Sequence, residues 1–343
     1  MSIAARKREH IAALARDAEI ERHASGFDRL QFTHRALPQC ALDDVDTRVD
    51  FLGKTLHFPL LISSMTGGDG ETIRKVNQHL AEAAEACGVA MAVGSQRIML
   101  SHPETSTSFD VRRYAPNTVL LANLGAVQLN TGFGIDEAQQ AVDALKADGL
   151  YLHLNPLQEA VQPEGDTNFR ALDRKIAALT GALDVPVLLK EVGCGLSPDD
   201  IALGKQAGVR YFDVAGRGGT SWSRIEHHRR SDPHDDIGLV FQDWGLTTVE
   251  ALNLAHAAHP DVTLIASGGI RNGIDIAKAV ALGAHVCGIA APLLKPALHS
   301  TAAVIEAIER LAREYRTALF LLGCTHTDAL RHQTHLLHSR DAS

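Results

Sequence analysis

GLYLHLNPLQE, residues 149–159, reads as a short buried strand that ends in a burst of polar chemistry. Side chains on a strand alternate between two faces, so Tyr151, His153 and Asn155 share one face and Leu152 and Leu154 take the other. Pro156 has no backbone donor and cannot continue a central strand, which places Gln158 and Glu159 on a loop just past the strand's carboxyl end. A row of His, Asn, Gln and Glu at one strand end suits a polar ligand, with a hard metal ion on Glu159 as one option. The competing reading is a surface turn with a satisfied core histidine. Recurrence decides between them: the functional reading gains if the same apolar run with a polar end appears elsewhere in the chain.

It does recur. FPLLISSMTGG (58–68), VAMAVGSQR (89–97) and TVLLANLGA (118–126) precede the opening stretch, which is fourth. VPVLLKEVGCG (185–195), YFDVAGRGGT (211–220), VTLIASGGIRNG (262–273) and HVCGIAAPLL (285–294) follow it. Between most pairs lies an amphipathic segment of helix length, as at 136–147, 168–183 and 247–259. Continuous apolar strands alternating with helices imply a parallel sheet covered on both faces. Eight such units fit an α/β fold of the (β/α)8 TIM barrel type better than an open doubly wound sheet. The expected organisation is a single barrel domain over 1–343, with an N-terminal arm at 1–57 and barrel repeats over about 58–323. Within it, 221–245 is rich in Ser, His, Arg and Asp and reads as an insertion after strand six, and 300–323 reads as a long last helix.

The arm begins with an expected helix over about 1–18, N-capped by Ser2. Its cationic group of Arg6, Lys7, Arg8 and His10 has two readings, a solvated face or a clamp that closes over a phosphate. The whole chain has 33 Lys plus Arg against 41 Asp plus Glu, a formal charge of -8, which argues against general nucleic-acid or anionic-membrane binding. Any anionic ligand must then be held by a local cluster of donors. No apolar run approaches the ~18 residues of a membrane span, and no signal core follows the charged start. Five scattered cysteines without a CxxC are simplest as reduced thiols in a cytoplasmic protein. His326, His332, His335 and His338 gather in the tail, where a solvated helix face is preferred over a metal site.

In a (β/α)8 barrel the carboxyl ends of the strands carry the active site. SGGIRNG after strand seven and GIAAP at strand eight form the expected phosphate site, because glycines let the backbone approach an anion and helix N–H groups point at it. Asn272 or Asp275 would cap the helix that follows. A phosphate there, with Thr220, Lys190, Asn123, Ser95 and Thr66 on strands six, five, three, two and one, makes an arc. That arc suits a flat cofactor with a phosphate tail, such as FMN. Lys190 would lie near the electron-rich end of the ring, where a cation stabilises the anionic reduced form.

RKREHI, SSMTGG, GSQR, HLNPLQE, KEVG, GGTSW and SGGIRNG together resemble type 2 isopentenyl diphosphate isomerase, the FMN-dependent form, over nearly the whole chain. The resemblance implies FMN, Mg2+, a prenyl diphosphate substrate, NADPH as reductant and a homotetramer or homo-octamer. It implies that Arg6, Lys7, His10, Ser95, Gln96, Arg97, His153, Asn155 and Gln158 hold the substrate, with Trp222 and Glu226 lying over it, and that Glu159 holds Mg2+. For FMN it implies Ser63, Ser64, Met65, Thr66, Ser95, Asn123, Lys190, Thr220, Gly269, Ile270, Arg271, Ala290 and Ala291. Ser64, Arg217 and Ala291 depart from the family pattern at the rim of the flavin site, where Ala, a small residue, and Arg or Gly are usual.

The implied activity is interconversion of isopentenyl and dimethylallyl diphosphate, with the reduced flavin as acid and base although the net reaction is not redox. Gln158, with His153 and Asn155 beside it, is the expected catalytic group of the protein. The alternative is an FMN-dependent oxidoreductase of the same barrel fold acting on a small hydroxy acid or heterocycle. A non-catalytic phosphate-binding barrel is a third reading, and it leaves Glu159 and His153 without a role.

Overall fold

The eight apolar runs become eight short parallel strands: β1 Leu60–Ile62, β2 Ala90–Ala92, β3 Leu120–Gly125, β4 Gly149–His153, β5 Val187–Lys190, β6 Tyr211–Asp213, β7 Thr263–Ser267 and β8 Ala284–Ile289. Each pairs with its neighbours in chain order, and β8 pairs with β1 to close the barrel. The computed structural model describes residues 16–65, 70–230, 232 and 234–340. The helix expected at the N-terminus falls almost wholly outside them.

Alternation along the strands builds two cores. Leu61, Ala90, Leu121, Tyr151, Leu188, Ile265 and Val286 fill the barrel interior, while Leu60, Ile62, Leu150, Leu152 and Leu189 face the helical layer. The hairpin Val49–Phe51 with Lys54–Leu56 adds Val49, Phe51 and Leu56 to the interior cluster and so plugs that core. Its two-residue turn places Leu52 at φ 49° and Gly53 at φ 77°, the positive pair of a tight hairpin. The arm at 1–57 therefore includes part of the barrel's packing.

Helices at Ile135–Leu145, Leu172–Ala182 and Thr248–Ala258 match the expected amphipathic segments within a few residues at each end. The last helix, Thr301–Leu322, is N-capped by the Ser300 hydroxyl and ends at Gly323 in the left-handed region. Two repeats depart from the pattern. After β2 the chain forms only the short helix Arg97–Ser101 and then the 3-10 segment Pro103–Phe109, because a residue before proline is disfavoured in helix. After β6 the insertion carries the helices Trp222–His227 and Ile237–Val240.

Parallel register aligns the strand ends. Gly125 lies beside His153, His153 beside Lys190, and Lys190 beside Asp213, one continuous row from β3 to β6.

Candidate active site

Above that row opens a cavity lined by strand ends from all around the barrel, among them Ser63, Asn123, His153, Lys190, Thr220 and Gly269. Lys190 is buried, and its Nζ donates to the Glu191 carbonyl at 2.9 Å and lies 3.7 Å from Asp213 Oδ2. Asp213 is fully buried beneath it. Its Oδ1 accepts from Ser267 Oγ at 2.6 Å and from the Ala215 N–H at 3.2 Å, and its Oδ2 accepts from the Tyr151 hydroxyl at 3.2 Å. Burial and the Asp213 charge hold the Tyr151 phenol in its neutral, donating form. A buried cation is thus paired, and its partner is itself fully hydrogen-bonded.

Asn123 sets the histidine. Its amide nitrogen donates to the Val93 carbonyl at 3.0 Å, which leaves Oδ1 facing His153 Nδ1 at 2.8 Å. An amide oxygen can only accept, so Nδ1 of His153 carries the hydrogen.

Beyond β4, Pro156 opens a one-and-a-half-turn helix, Pro156–Val161, where a loop was expected. Proline is tolerated at the first helical position because its missing N–H has no intrahelical partner there. The turn brings Asn155, Gln158 and Glu159 together. Asn155 Nδ2 donates to Glu159 Oε1 at 2.8 Å and to Gln158 Oε1 at 3.2 Å. Glu159 Oε2 accepts from Gln162 Nε2 at 2.5 Å and from the Asp166 N–H at 2.7 Å. Gln158 Nε2 donates to Glu226 Oε1 at 2.9 Å, which ties this helix to the insertion after β6.

The loops after β6 and β7 pack backbone to backbone. A Cβ on Gly268 would lie 2.0 Å from the Gly216 carbonyl oxygen, and one on Gly269 would lie 2.4 Å from that of Gly218, so only glycine fits. Asn272 caps the helix Gly273–Ala281 by accepting from the Asp275 N–H at 2.9 Å. Against this cradle lies a strap from the N-terminal arm. Arg22 N–H donates to the Gly219 carbonyl and Ser221 N–H to that of Ile20, both at 2.8 Å. Asp17 pairs with Arg224 at 2.6 Å, a contact that holds its carboxyl far below the usual carboxylate range. Glu21 rides on the strap, accepting from the Thr220 hydroxyl and from Arg271 Nη2, the latter at 2.7 Å.

The expected residues separate into three groups. Ser63, Ser64, Met65, Ser95, Asn123, His153, Gln158, Lys190, Thr220, Trp222, Gly269, Ile270, Arg271, Ala290 and Ala291 line the one cavity. Gln96, Arg97, Asn155, Glu159 and Glu226 stand behind its lining. Gln96 is fully buried and spends its amide on the Ala141 carbonyl and the Asn123 N–H; Arg97 pairs with Asp166 at 3.3 Å. Arg6, Lys7, His10 and Thr66 lie outside the described residues. Sequence reading missed Asp213 and Glu21, although Asp213 lies inside a quoted run. In the tail, His326 caps a short helix and His332 stacks on His256 at 4.3 Å. Among the described residues no group of three or more His, Cys, Asp or Glu is arranged to hold a metal ion.

The cavity fits FMN. The hydroxyls of Ser63 and Ser64 are buried without a hydrogen-bond partner, and the glycine cradle and Lys190 stand where a phosphate and an electron-rich ring would need them. The polar cluster fits Mg2+ more narrowly. Asn155 Oδ1 is buried and unpartnered while its Nδ2 is bonded to the Glu159 carboxylate, and Mg2+ commonly uses one carboxylate together with substrate phosphates and water.

The fold defines a (β/α)8 barrel, and the profile of the FMN-dependent dehydrogenase family matches residues 4–104 and 128–337, which makes it one of the FMN-dependent kind. A chain of Paracoccus zeaxanthinifaciens named isopentenyl-diphosphate delta-isomerase is 62% identical over 326 residues, 94% of this chain and 93% of the relative. Its namesake in Hydrogenovibrio crunogenus is 58% identical over 94% of each chain. The protein belongs to the isopentenyl-diphosphate delta-isomerase family, within the FMN-dependent barrels. Among solved structures, a soluble mutant of (S)-mandelate dehydrogenase from Pseudomonas putida superposes with a TM-score of 0.68 over 99% of this chain and all of the other. At 16% identity that likeness is one of fold.

Proposed function

We propose that the protein interconverts isopentenyl and dimethylallyl diphosphate, with reduced FMN in the cavity and Mg2+ at the diphosphate. The observation that carries this reading is the division of the barrel mouth. A glycine cradle with a buried cation takes one side, on β5 to β8, and the Asn155–Gln158–Glu159 cluster stands beyond β4 on the other. The first suits a flavin and its phosphate; the second suits a metal-bound diphosphate.

The reaction adds a proton to an unactivated double bond and removes one from a neighbouring carbon, a step for which side chains of ordinary pKa are poor acids. When bound, reduced FMN supplies that acid–base chemistry. The chain's own residues bind and orient. Lys190 would supply positive charge to the ring, and Asn123 fixes His153 by accepting from its Nδ1–H. Glu159 and the unpartnered Asn155 oxygen would take Mg2+, and Arg6, Lys7 and His10 would close on the diphosphate. Trp222 lines the same cavity and would cover the prenyl tail, excluding water. NADPH serves as reductant, and the protein assembles as a homotetramer or homo-octamer in the cytoplasm. The oxidoreductase reading has less support, since it leaves the Asn155–Glu159 cluster without a use.

The test is an anaerobic isomerase assay of the yellow protein with and without dithionite, repeated with Glu159→Gln. Turnover should require reduction, and the variant should need at least tenfold more Mg2+ while keeping its flavin. Equal activity of the oxidised protein, or a colourless folded Glu159→Gln, contradicts the assignment.

A further inference from the structure

The strap from the N-terminal arm carries a carboxylate into the cavity, among the groups that suit an anion. Ile20 is fully buried, with Ile225 and Trp222 packed against it. The backbone on either side of Glu21 is bonded to the chain after β6, Arg22 N–H to the Gly219 carbonyl and Ser221 N–H to that of Ile20. Ion pairs of Asp17 with Arg224 and of Arg22 with Asp243 hold the strap at both ends. Between these anchors the Glu21 side chain lines the same cavity as Thr220, Gly269 and Arg271. Its Oε1 accepts from the Thr220 hydroxyl, and its Oε2 accepts from Arg271 Nη2 at 2.7 Å. Among the described residues Glu21 is the only carboxylate that pairs with the Arg271 guanidinium.

Thr220 and Arg271 are two of the donors that the flavin reading gives to FMN. A threonine hydroxyl has a single hydrogen, which it can give to Glu21 or to a phosphate but not to both. A hydroxyl that keeps its hydrogen on Glu21 turns only lone pairs toward a second anion, and the two negative charges repel one another. We infer that Glu21 is a stand-in for the flavin's phosphate: its carboxylate competes with that phosphate for Thr220 and Arg271 and lowers the affinity of the chain for FMN. This rests on the flavin reading of the cavity. The Glu21 side chain is 26% exposed, so it can turn to water while Ile20 and the backbone bonds keep the strap in place. Riboflavin has the same ring and no phosphate, and so does not contest these donors. The opposite role, in which Glu21 holds Arg271 in position for the phosphate, carries the opposite sign: removing the carboxylate would then weaken FMN binding.

The experiment titrates the full-length protein, freed of flavin, with FMN and separately with riboflavin, reading binding from the quenching of flavin fluorescence. Wild type is compared with Glu21→Gln and Glu21→Ala. The expected result is FMN bound at least about threefold more tightly by both variants, with riboflavin within about twofold of wild type. A smaller gain for FMN in either folded variant, or a loss, overturns the inference. So does an equal gain for riboflavin, which would take the effect off the phosphate. Should one variant fail to fold, judged by circular dichroism, the other decides by the same criterion. Wild type that binds neither flavin is a separate result: it refutes the flavin reading and this inference with it.

Discussion

Glu191 shows how burial and hydrogen bonding oppose one another at a single residue. Its Oε2 accepts the N–H groups of Val192 and Gly193, each at 2.6 Å, and that of Cys194, yet the residue is buried at the cavity's edge. Burial wins and pushes its carboxyl up to about 7, against the pull of those donors and of Lys190. A carboxyl that holds its proton more tightly when folded stabilises the fold below its unfolded value of 4.5, and that contribution is lost as the pH rises through about 7. Glu191→Gln keeps an oxygen for the three donors and removes the charge. It should be more stable than wild type at pH 8 by on the order of 3 kcal/mol and closely similar at pH 4.5, measured by urea unfolding at both. A constant difference across that range would show that the proton is not held this way. Other residues were readable for a different reason. His153, Lys190 and Asn123 were legible because strand alternation and a strand end are local facts. Asp213 and Glu21 were not, since their meaning lies in partners far along the chain, Ser267 for one and Arg271 for the other.

At the scale of elements, the runs legible as strands all became strands, and polar residues such as Ser63, Asn123, His153 and Lys190 at their ends line the cavity. The hairpin at Val49–Leu56 escaped notice because its segments are three residues each and its turn is Leu-Gly, without the usual Asn or Asp. The helix Pro156–Val161 escaped because proline was read as a stop, although it is also a common helix start. The β6 and β7 loops were read as glycine-rich, and the structure supplies the reason: two backbones meet there. Gly269→Ala should therefore spoil the cradle. Its φ of 79° and the 2.4 Å approach to the Gly218 oxygen force the loops apart, at a cost of roughly 1–3 kcal/mol. The purified variant should carry less than half the wild-type flavin, read from the ratio of visible to ultraviolet absorbance. Full flavin content would mean that the phosphate does not rest on this turn.

At the scale of the molecule, the barrel supplies a paired cation beneath the cavity, a cradle on one side and a carboxylate–amide cluster on the other, while net charge stays acidic. The strap at Ile20–Arg22 crosses the cradle and bonds to the chain after β6, so the N-terminal arm closes on its own barrel at that point. No helix among the described residues is long and apolar enough to cross a membrane. In the proposed function this mouth moves a double bond by exchanging protons, with no net transfer of electrons. The direct measurement is to run the reduced holoenzyme anaerobically with isopentenyl diphosphate in D2O, following the product by NMR and the flavin by absorbance over many turnovers. Deuterium is expected in a methyl group of dimethylallyl diphosphate, with a flavin spectrum that ends as reduced as it began. Flavin reoxidised in proportion to substrate consumed, or product free of deuterium, would contradict that function.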